Sequence, residues 1–289
     1  MKELAQYCFY LSVVFMFSCQ QSSTELNDKP LEGPLFELVS NQHSGVNFAN
    51  NIIENEKHNH LIWSHVYSGA GVAAGDINND GLVDLYFSGN IVGDALYLNK
   101  GNFEFTDITN VAGIKQDGKW STGVTFADVN NDGFLDIYVC RLSATRNPND
   151  RKNLLYINNG NLSFTESAAA YGVDDGGFSI QSTFFDFEND GDLDLFVANQ
   201  PPDPRLLSRF GINPEENKAL WADKLYQNNG NGKFVDISKK AKVDGYGYGL
   251  SVVANDLNGD NLTDIICSAA FQTKIVWYQN LGNGLFSAQ

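Results

Sequence analysis

The chain has 289 residues, 43% of them hydrophobic, which allows a packed core in one large domain or two small ones. Its 19 basic side chains stand against 35 acidic ones, a formal charge of -16, and no basic stripe or cluster occurs anywhere along it. That balance repels phosphate backbones and excludes nucleic acid as a natural partner.

At the N-terminus, Lys2 precedes the apolar run Tyr7 to Phe17. The run falls well short of the roughly 20 residues that span a bilayer and has the length of a signal-peptide core. Ser18-Cys19 then leads into the polar tract QQSSTELNDK. This resembles a bacterial lipoprotein signal, in which Cys19 is lipidated and becomes the first residue. Met16 and Phe17 stand where that pattern usually has leucine and a smaller residue, so simple secretion is the alternative. The expectation is a signal peptide over 1–18, a polar linker over 19–34 and export to a bacterial outer membrane or cell surface. The chain would meet the membrane through a lipid anchor at Cys19, with no transmembrane helix.

Residues 35–289 read as repeats. DINNDGLVD (Asp76 to Asp84) recurs as DVNNDGFLD (Asp128 to Asp136), DFENDGDLD (Asp186 to Asp194) and DLNGDNLTD (Asp256 to Asp264). The flanks recur with the loops. GAGVAAG, STGVTFA, SIQSTFF and YGLSVVAN come before, and LYFSG, IYVCR, LFVAN and IICSA come after. A third piece follows as ALYLNKG, LLYINNG, KLYQNNG and IVWYQNLG, and a fourth as FEFTDIT, LSFTESA, GKFVDIS and LFSAQ.

Four short strands per unit, joined by Gly, Asn and Asp turns, describe one antiparallel sheet. Units of this length and make-up predict an all-β fold, a β-propeller of four-stranded blades. About four to five blades are expected: four from the repeats, and one more if the segment before residue 65 supplies strands. The propeller is expected to be incomplete. An open stack leaves sheet faces unburied. Length differences fall in RLSATRNPNDRKN and in QPPDPRLLSRFGINPEENKALWAD, where NPEENKALW suits a helical turn or two. These insertions are expected to project from one face.

Asn-Asp-Gly is a hairpin signal without any metal. A turn accounts for position four (Asn79, Asn131, Asn189, Gly259) and position six (Gly81, Gly133, Gly191, Asn261), which need unusual backbone angles. It leaves unexplained the oxygen side chains at one, three, five and nine. Their mutual repulsion costs stability unless a cation sits among them. Oxygen ligands without His or Cys point to calcium, with magnesium the weaker candidate.

The expected ligands in the first loop are Asp76, Asn78, Asp80 and Asp84 with the carbonyl of Leu82, and in the second Asp128, Asn130, Asp132 and Asp136 with that of Phe134. In the third they are Asp186, Glu188, Asp190 and Asp194 with the carbonyl of Asp192. In the fourth they are Asp256, Asn258, Asp260 and Asp264 with that of Leu262. Up to four calcium ions follow. Position twelve is Phe87, Val139, Val197 or Cys267, which excludes an EF-hand.

D-x-N-x-D-G-x-x-D between strands, followed by LYxNxG and FxD, resembles the FG-GAP and VCBS repeats of integrin-type β-propellers over roughly residues 65 to 289. FANN, WSTGVTFADVNNDGFLDIYVC and NLLYINNGNLSFTE are similar to the N-terminal part of bacterial (CRTAC-like) lipoproteins that combine VCBS repeats with an ASPIC/UnbV region. The resemblance implies calcium-stabilised blades, a surface or extracellular location and no established catalytic activity. The chain departs from the family in showing four repeats where about seven blades are usual, and in lacking an ASPIC/UnbV segment.

No catalytic arrangement stands out. His43, His58, His60 and His65 precede the repeats, and HNHLIWSH reads as an exposed loop. Cys140 and Cys267, in DIYVC and DIIC, read as buried free thiols at similar places in two units. The leading expectation is a non-enzymatic binding, adhesion or scaffold module for a glycan or surface protein. Trp63, Trp120, Tyr138, Trp221, Tyr246 and Tyr248 are candidate sugar platforms that more simply belong to blade cores. A calcium-dependent polysaccharide lyase is the alternative, resting on Arg141, Arg146, Arg151, Lys152, Arg205 and Arg209. A purely structural calcium-rigidified module is the third reading.

Overall fold

The Asn-Asp-Gly turns fold each repeat into a meander. In the computed structural model the loop Asp76–Asp84 joins β1 (Val72–Gly75) to β2 (Asp84–Phe87), and β3 (Ala95–Asn99) and β4 (Phe105–Asp107) complete an antiparallel sheet. Blade two is β5 (Trp120–Ala127), β6 (Asp136–Leu142), β7 (Leu154–Asn158) and β8 (Phe164–Glu166). Blade three is β9 (Ser179–Phe185), β10 (Asp194–Asn199), β11 (Lys224–Asn228) and β12 (Phe234–Asp236), and blade four is β13 (Gly249–Asn255), β14 (Asp264–Ala269), β15 (Val276–Asn280) and β16 (Phe286–Ala288).

The structure describes residues 36–289 except 57, 62–65, 144, 146, 202–212, 214–219, 246–248 and 270–274. The signal segment, Cys19 and the helical turn expected in NPEENKALW therefore lie outside the described residues. The blades belong to one compact unit, Val39–Gln289.

Among the described residues before β1 there is no strand, so this stretch adds no blade. It holds one helical turn, Asn41–Ser44, capped by Ser40 and ended by Gly45 at φ 71°. The same device follows β8 and β12, where Ala168–Tyr171 ends at Gly172 and Ser238–Ala241 ends at Lys242, both left-handed. A Cβ on Gly45 would sit 2.5 Å from the Phe105 carbonyl oxygen, and one on Gly172 would sit 3.0 Å from that of Phe234. Residues 41–46 thus repeat the linker that elsewhere leads from one blade to the next.

Successive strand residues point to opposite faces, and in the middle blades both faces are apolar. Ile137 and Val139 of β6 pack on blade one, while Tyr138 and Cys140 pack on blade three. Leu195 and Val197 of β10 return that contact, and Phe196 and Ala198 face blade four. Each such fully buried side chain contributes about 1.5–3 kcal/mol, so the gaps between blades are the core of this protein.

Both described cysteines are free and buried, as their settings predicted. They do not occupy similar places, however. Cys140 stands four residues after Asp136 and Cys267 three after Asp264, and in a period-two strand that offset reverses the face. Cys140 faces forward and Cys267 backward, each toward blade three.

Antiparallel order places all four acidic loops at one end of the blades. The connections from β2 to β3 and β6 to β7, and the described ends of that from β10 to β11, lie at the other. A polar bracket ties that second end together. Asp94, Asn153 and Asp223, each just before the third strand of its blade, accept the N–H of Gly89, Arg141 and Asn199 respectively at 2.8, 2.7 and 3.0 Å. Asp94 and Asn153 also reach the next blade, at Ser121 Oγ and Ser179 Oγ. Tyr278 of blade four donates its hydroxyl back to Asp223 at 3.0 Å.

Candidate metal centre

The loops have the backbone that their turn residues demand. Asn79, Asn131 and Asn189 at position four have φ of 57–60°, and Gly81, Gly133 and Gly191 follow at 84–94°. The fourth loop exchanges the two residue types, with Gly259 at 80° and Asn261 at 66°. Either type tolerates the left-handed region, so the exchange preserves the turn.

Each acid at position one caps its own loop. Asp76 accepts from Asn78 and Asp80 N–H through Oδ1 and from Gly81 N–H, at 2.7 Å, through Oδ2. Asp128 takes Asp132 and Gly133 N–H, Asp186 takes Asp190 and Gly191 N–H, and Asp256 takes those of Gly259, Asp260 and Asn261. Desolvation pushes the Asp76 carboxyl up, but these N–H groups outweigh it and hold the pKa below the ordinary value. At Asp256 the Asn261 N–H is the main cause of the same lowering.

Position five works alike. Asp80, Asp132, Asp190 and Asp260 accept the N–H of Leu82, Phe134, Asp192 and Leu262, the residues at position seven, at 2.9–3.0 Å. At position three the Asn78, Asn130 and Asn258 side chains bridge to those acids through Nδ2 at 2.9–3.0 Å.

Position nine is the buried hinge of the repeat. Asp84 Oδ2 accepts Ile77 N–H at 3.0 Å and its Oδ1 accepts Asn99 N–H at 2.7 Å, so one carboxylate ties loop, second strand and third strand together. Asp136 does the same with Val129 and Asn158, and Asp194 with Phe187 and Asn228. Burial raises the Asp136 carboxyl to about 7 and that of Asp194 to about 8, with neighbouring loop acids adding to both.

The expectation that a plain turn gains nothing from these acids is corrected here. Loop N–H groups find acceptors without a metal, at positions one and five on the exposed side of the loop and at position nine in its buried base. Among the described residues, no three acidic side chains stand together as a ligand group. Two observations nonetheless fit a cation. Asp264 Oδ2 and Glu188 Oε2 are buried and have no hydrogen-bond partner, in loops four and three. The donor set is also all oxygen, as calcium requires.

A residue whose recurrence was visible but given no role completes the site. The Asn ending each third strand, in LYxNxG, joins neighbouring blades. Asn158 Nδ2 donates to Ile77 O of blade one at 2.8 Å, Asn228 to Val129 O of blade two at 3.2 Å, and Asn280 to Phe187 O of blade three at 2.9 Å. Each also bonds its own loop, to Leu135 O, Leu193 O and Thr263 O, and its Oδ1 accepts the glycine N–H two residues on. Asn99 makes the local bonds, to Val83 O and Gly101 N–H, and is more exposed than its counterparts.

The other candidate groups are spent on structure. Arg141 is 3% exposed and forks onto Asp117 at 2.9 and 3.0 Å. Arg151 donates to the carbonyls of Thr145, Gly176 and Gly177 and lies 4.2 Å over the Phe178 ring. Lys152 pairs with Asp174. Trp120, Tyr138 and Trp221 are buried in the core. His43 Nε2 bonds the Asn102 carbonyl, and His58 lies 6.4 Å from Trp120. Arg146, Arg205, Arg209, Trp63, His65, Tyr246 and Tyr248 lie outside the described residues. No helix among the described residues is long and apolar enough to cross a membrane.

Stacked four-stranded sheets, each with an acidic hairpin loop at the same end, define a repeat protein of the propeller type in which the ring is not closed. The chain belongs to the FG-GAP-like repeat family, whose model matches residues 76–139, 142–197 and 215–267. It is 28% identical over 208 residues to cartilage acidic protein 1 of Xenopus tropicalis, covering 69% of this chain and 28% of that protein. The human protein of the same name is 24% identical over 209 residues, with the same two shares. The chain therefore spans well under a third of the length of these curated relatives.

Two solved structures overlap it. An Agrocybe aegerita lectin, described for specific recognition of non-reducing terminal N-acetylglucosamine, gives a TM-score of 0.42 at 19% identity over 75% of this chain and 50% of that one. A V. cholerae biofilm matrix protein gives 0.34 at 17% identity over 75% and 30%.

Proposed function

We propose that this chain is a calcium-stabilised, non-enzymatic binding module of an exported surface protein, which meets a glycan or protein partner at the blade ends opposite its acidic loops. The observation that carries the metal reading is the pair of buried, unpartnered carboxylate oxygens, Asp264 Oδ2 and Glu188 Oε2, inside loops that recur in phase. Calcium would be held by the side chains at positions one, three, five and nine with the position-seven carbonyl, and would offset the repulsion among them. The chain's own part is to hold those oxygens in place. Position nine is fixed by two N–H groups in the first three loops and by Asn280 N–H in the fourth.

Binding is placed at the far end because there the connections vary in length while the loop end is uniform, and variable connections on a rigid scaffold are where recognition is built. The lyase reading needs free cations converging on one cleft. Arg141 and Arg151 are instead buried in structural contacts. A lipid anchor at Cys19 and a bacterial outer-membrane or surface location complete the proposal.

The test is thermal unfolding of the mature chain in excess EDTA and at rising calcium, with magnesium as control. A ligand bound to the native state alone raises the melting temperature with its concentration. A calcium-selective rise is expected; an unchanged midpoint at millimolar calcium would reduce the loops to turns.

A further inference from the structure

The innermost strands of blades two, three and four carry a bulge near their first residues, at the end opposite the acidic loops. In β5, Thr122 and Gly123 together face one residue of β6. In β9 the extra residue is Ile180, against β10, and in β13 it is Leu250, against β14. An extra residue in a ladder re-aims side chains, and bulges concentrate beside sites. All four of these residues line one cavity of about 190 Å³. A register break repeated in three blades thus serves a single place.

The lining has a definite chemistry. Buried Trp120 and Leu142, half-buried Ile180 and exposed Leu250 give it apolar walls, and among the described residues no charged side chain lines it. Gln200, just past the end of β10, also lines it. This residue is 3% exposed, and its Oε1 has no hydrogen-bond partner among the described residues. The Gln200 backbone N–H donates to Phe178 O at 3.0 Å, which fixes the main chain, whereas the amide turns about a soft terminal torsion. A ligand in the cavity can therefore supply the donor that the protein does not.

We infer that this cavity seats one uncharged sugar ring at the end of a glycan. The inference rests on the proposed binding role of this end of the blades and gives that role a site and a ligand class; it does not depend on calcium. A sugar ring brings hydroxyl donors on its edge for Gln200 Oε1 and an apolar C–H face for Trp120, Ile180 and Leu250. A carboxylate or phosphate would give up its water with no opposite charge to receive it. An apolar side chain of a protein partner would seal Gln200 Oε1 without a donor. The volume falls below the roughly 300–1,000 Å³ of sites for drug-sized ligands, so it suits one ring rather than a chain of them.

The mature chain is titrated with the methyl glycosides of glucose, galactose, mannose, fucose and N-acetylglucosamine, followed by ligand-observed NMR. A ring of about a dozen heavy atoms binds with a dissociation constant on the order of 1 mM, and at least one glycoside is expected to do so. Methyl glucuronide, which carries a charge, should bind about tenfold more weakly or not at all. Gln200→Met keeps the size and removes the unpaired oxygen, so binding should weaken about tenfold while the melting temperature holds or rises. Leu250→Trp, at a 46% exposed position, should fill the cavity and abolish binding with the midpoint unchanged. Glycoside binding that survives both substitutions would overturn this site and leave the glycan-binding role standing. Silence from all five glycosides at about 20 mM would overturn the site, and the glycan role falls with it only if an array of longer glycans also stays blank. N-acetyl-leucine amide stands in for a protein side chain; its binding in place of the glycosides would overturn the sugar assignment in favour of a protein.

Discussion

The Asn that closes each third strand contains its own control. Asn158 makes two donated bonds and one accepted bond at a 3% exposed site, and one of its acceptors is the carbonyl of buried Ile77 in the preceding blade. Asn99 has the same local partners and, among the described residues, no blade behind it. Truncating Asn158 to Ala leaves a buried carbonyl unpaired, at about 1–3 kcal/mol, and removes two further bonds at about 1 kcal/mol each, so roughly 3–5 kcal/mol is expected in all. Asn99→Ala removes two partly exposed bonds and should cost about 1–2 kcal/mol. The difference, about 2 kcal/mol, is roughly thirtyfold in the unfolding equilibrium. Urea unfolding followed by circular dichroism measures it, with Asn228→Ala and Asn280→Ala expected to behave like Asn158→Ala. Because blades couple mainly to their neighbours, the variant transitions should also broaden. Equal losses from Asn99→Ala and Asn158→Ala would refute the claim that this residue joins the blades.

For calcium, dissociation constants of about 0.1–1 mM, usual for extracellular modules, give about 1.4–2.7 kcal/mol per occupied site at 10 mM ion. Asp80→Asn should reduce the calcium-dependent rise in midpoint by about one site's share. Burial raises the Asp223 carboxyl from 3.8 to about 7, so the native state holds this proton more tightly than the unfolded chain does. Its contribution is therefore full below about pH 4 and is lost as the pH climbs to 7, by up to about 4 kcal/mol. Asp223→Asn should fold and flatten that slope in stability against pH, because Asn153 already fills the matching place in blade two, accepting Arg141 N–H and facing the Tyr138 hydroxyl. Arg141→Ala should cost about 1–3 kcal/mol, read by urea unfolding, because the side chain lost is buried whereas Asp117, a third exposed, is left to water. Cys140 and Cys267, both pushed up to about 12 by burial, should resist thiol reagents until the chain unfolds, which a labelling time course at increasing urea would show.

Recurrence alone determined the sheets. A loop that needs left-handed angles at positions four and six, set between apolar runs of strand length, leaves the chain one local solution, and even the Gly259–Asn261 exchange obeys it. The four repeat sheets, their strand order and the burial of Cys140 and Cys267 followed from the same local signals, whereas a fifth blade was left open. Tertiary structure decided everything that depends on which face meets which neighbour. It set Cys140 and Cys267 on opposite faces through a one-residue offset, and it converted the acids from supposed metal ligands alone into acceptors for loop N–H groups. It also gave the LYxNxG asparagine its partner 81 residues away, a distance over which no local pattern can report. A repeat specifies its own fold through neighbours in sequence, whereas its interfaces are formed by residues that meet only once the blades have stacked.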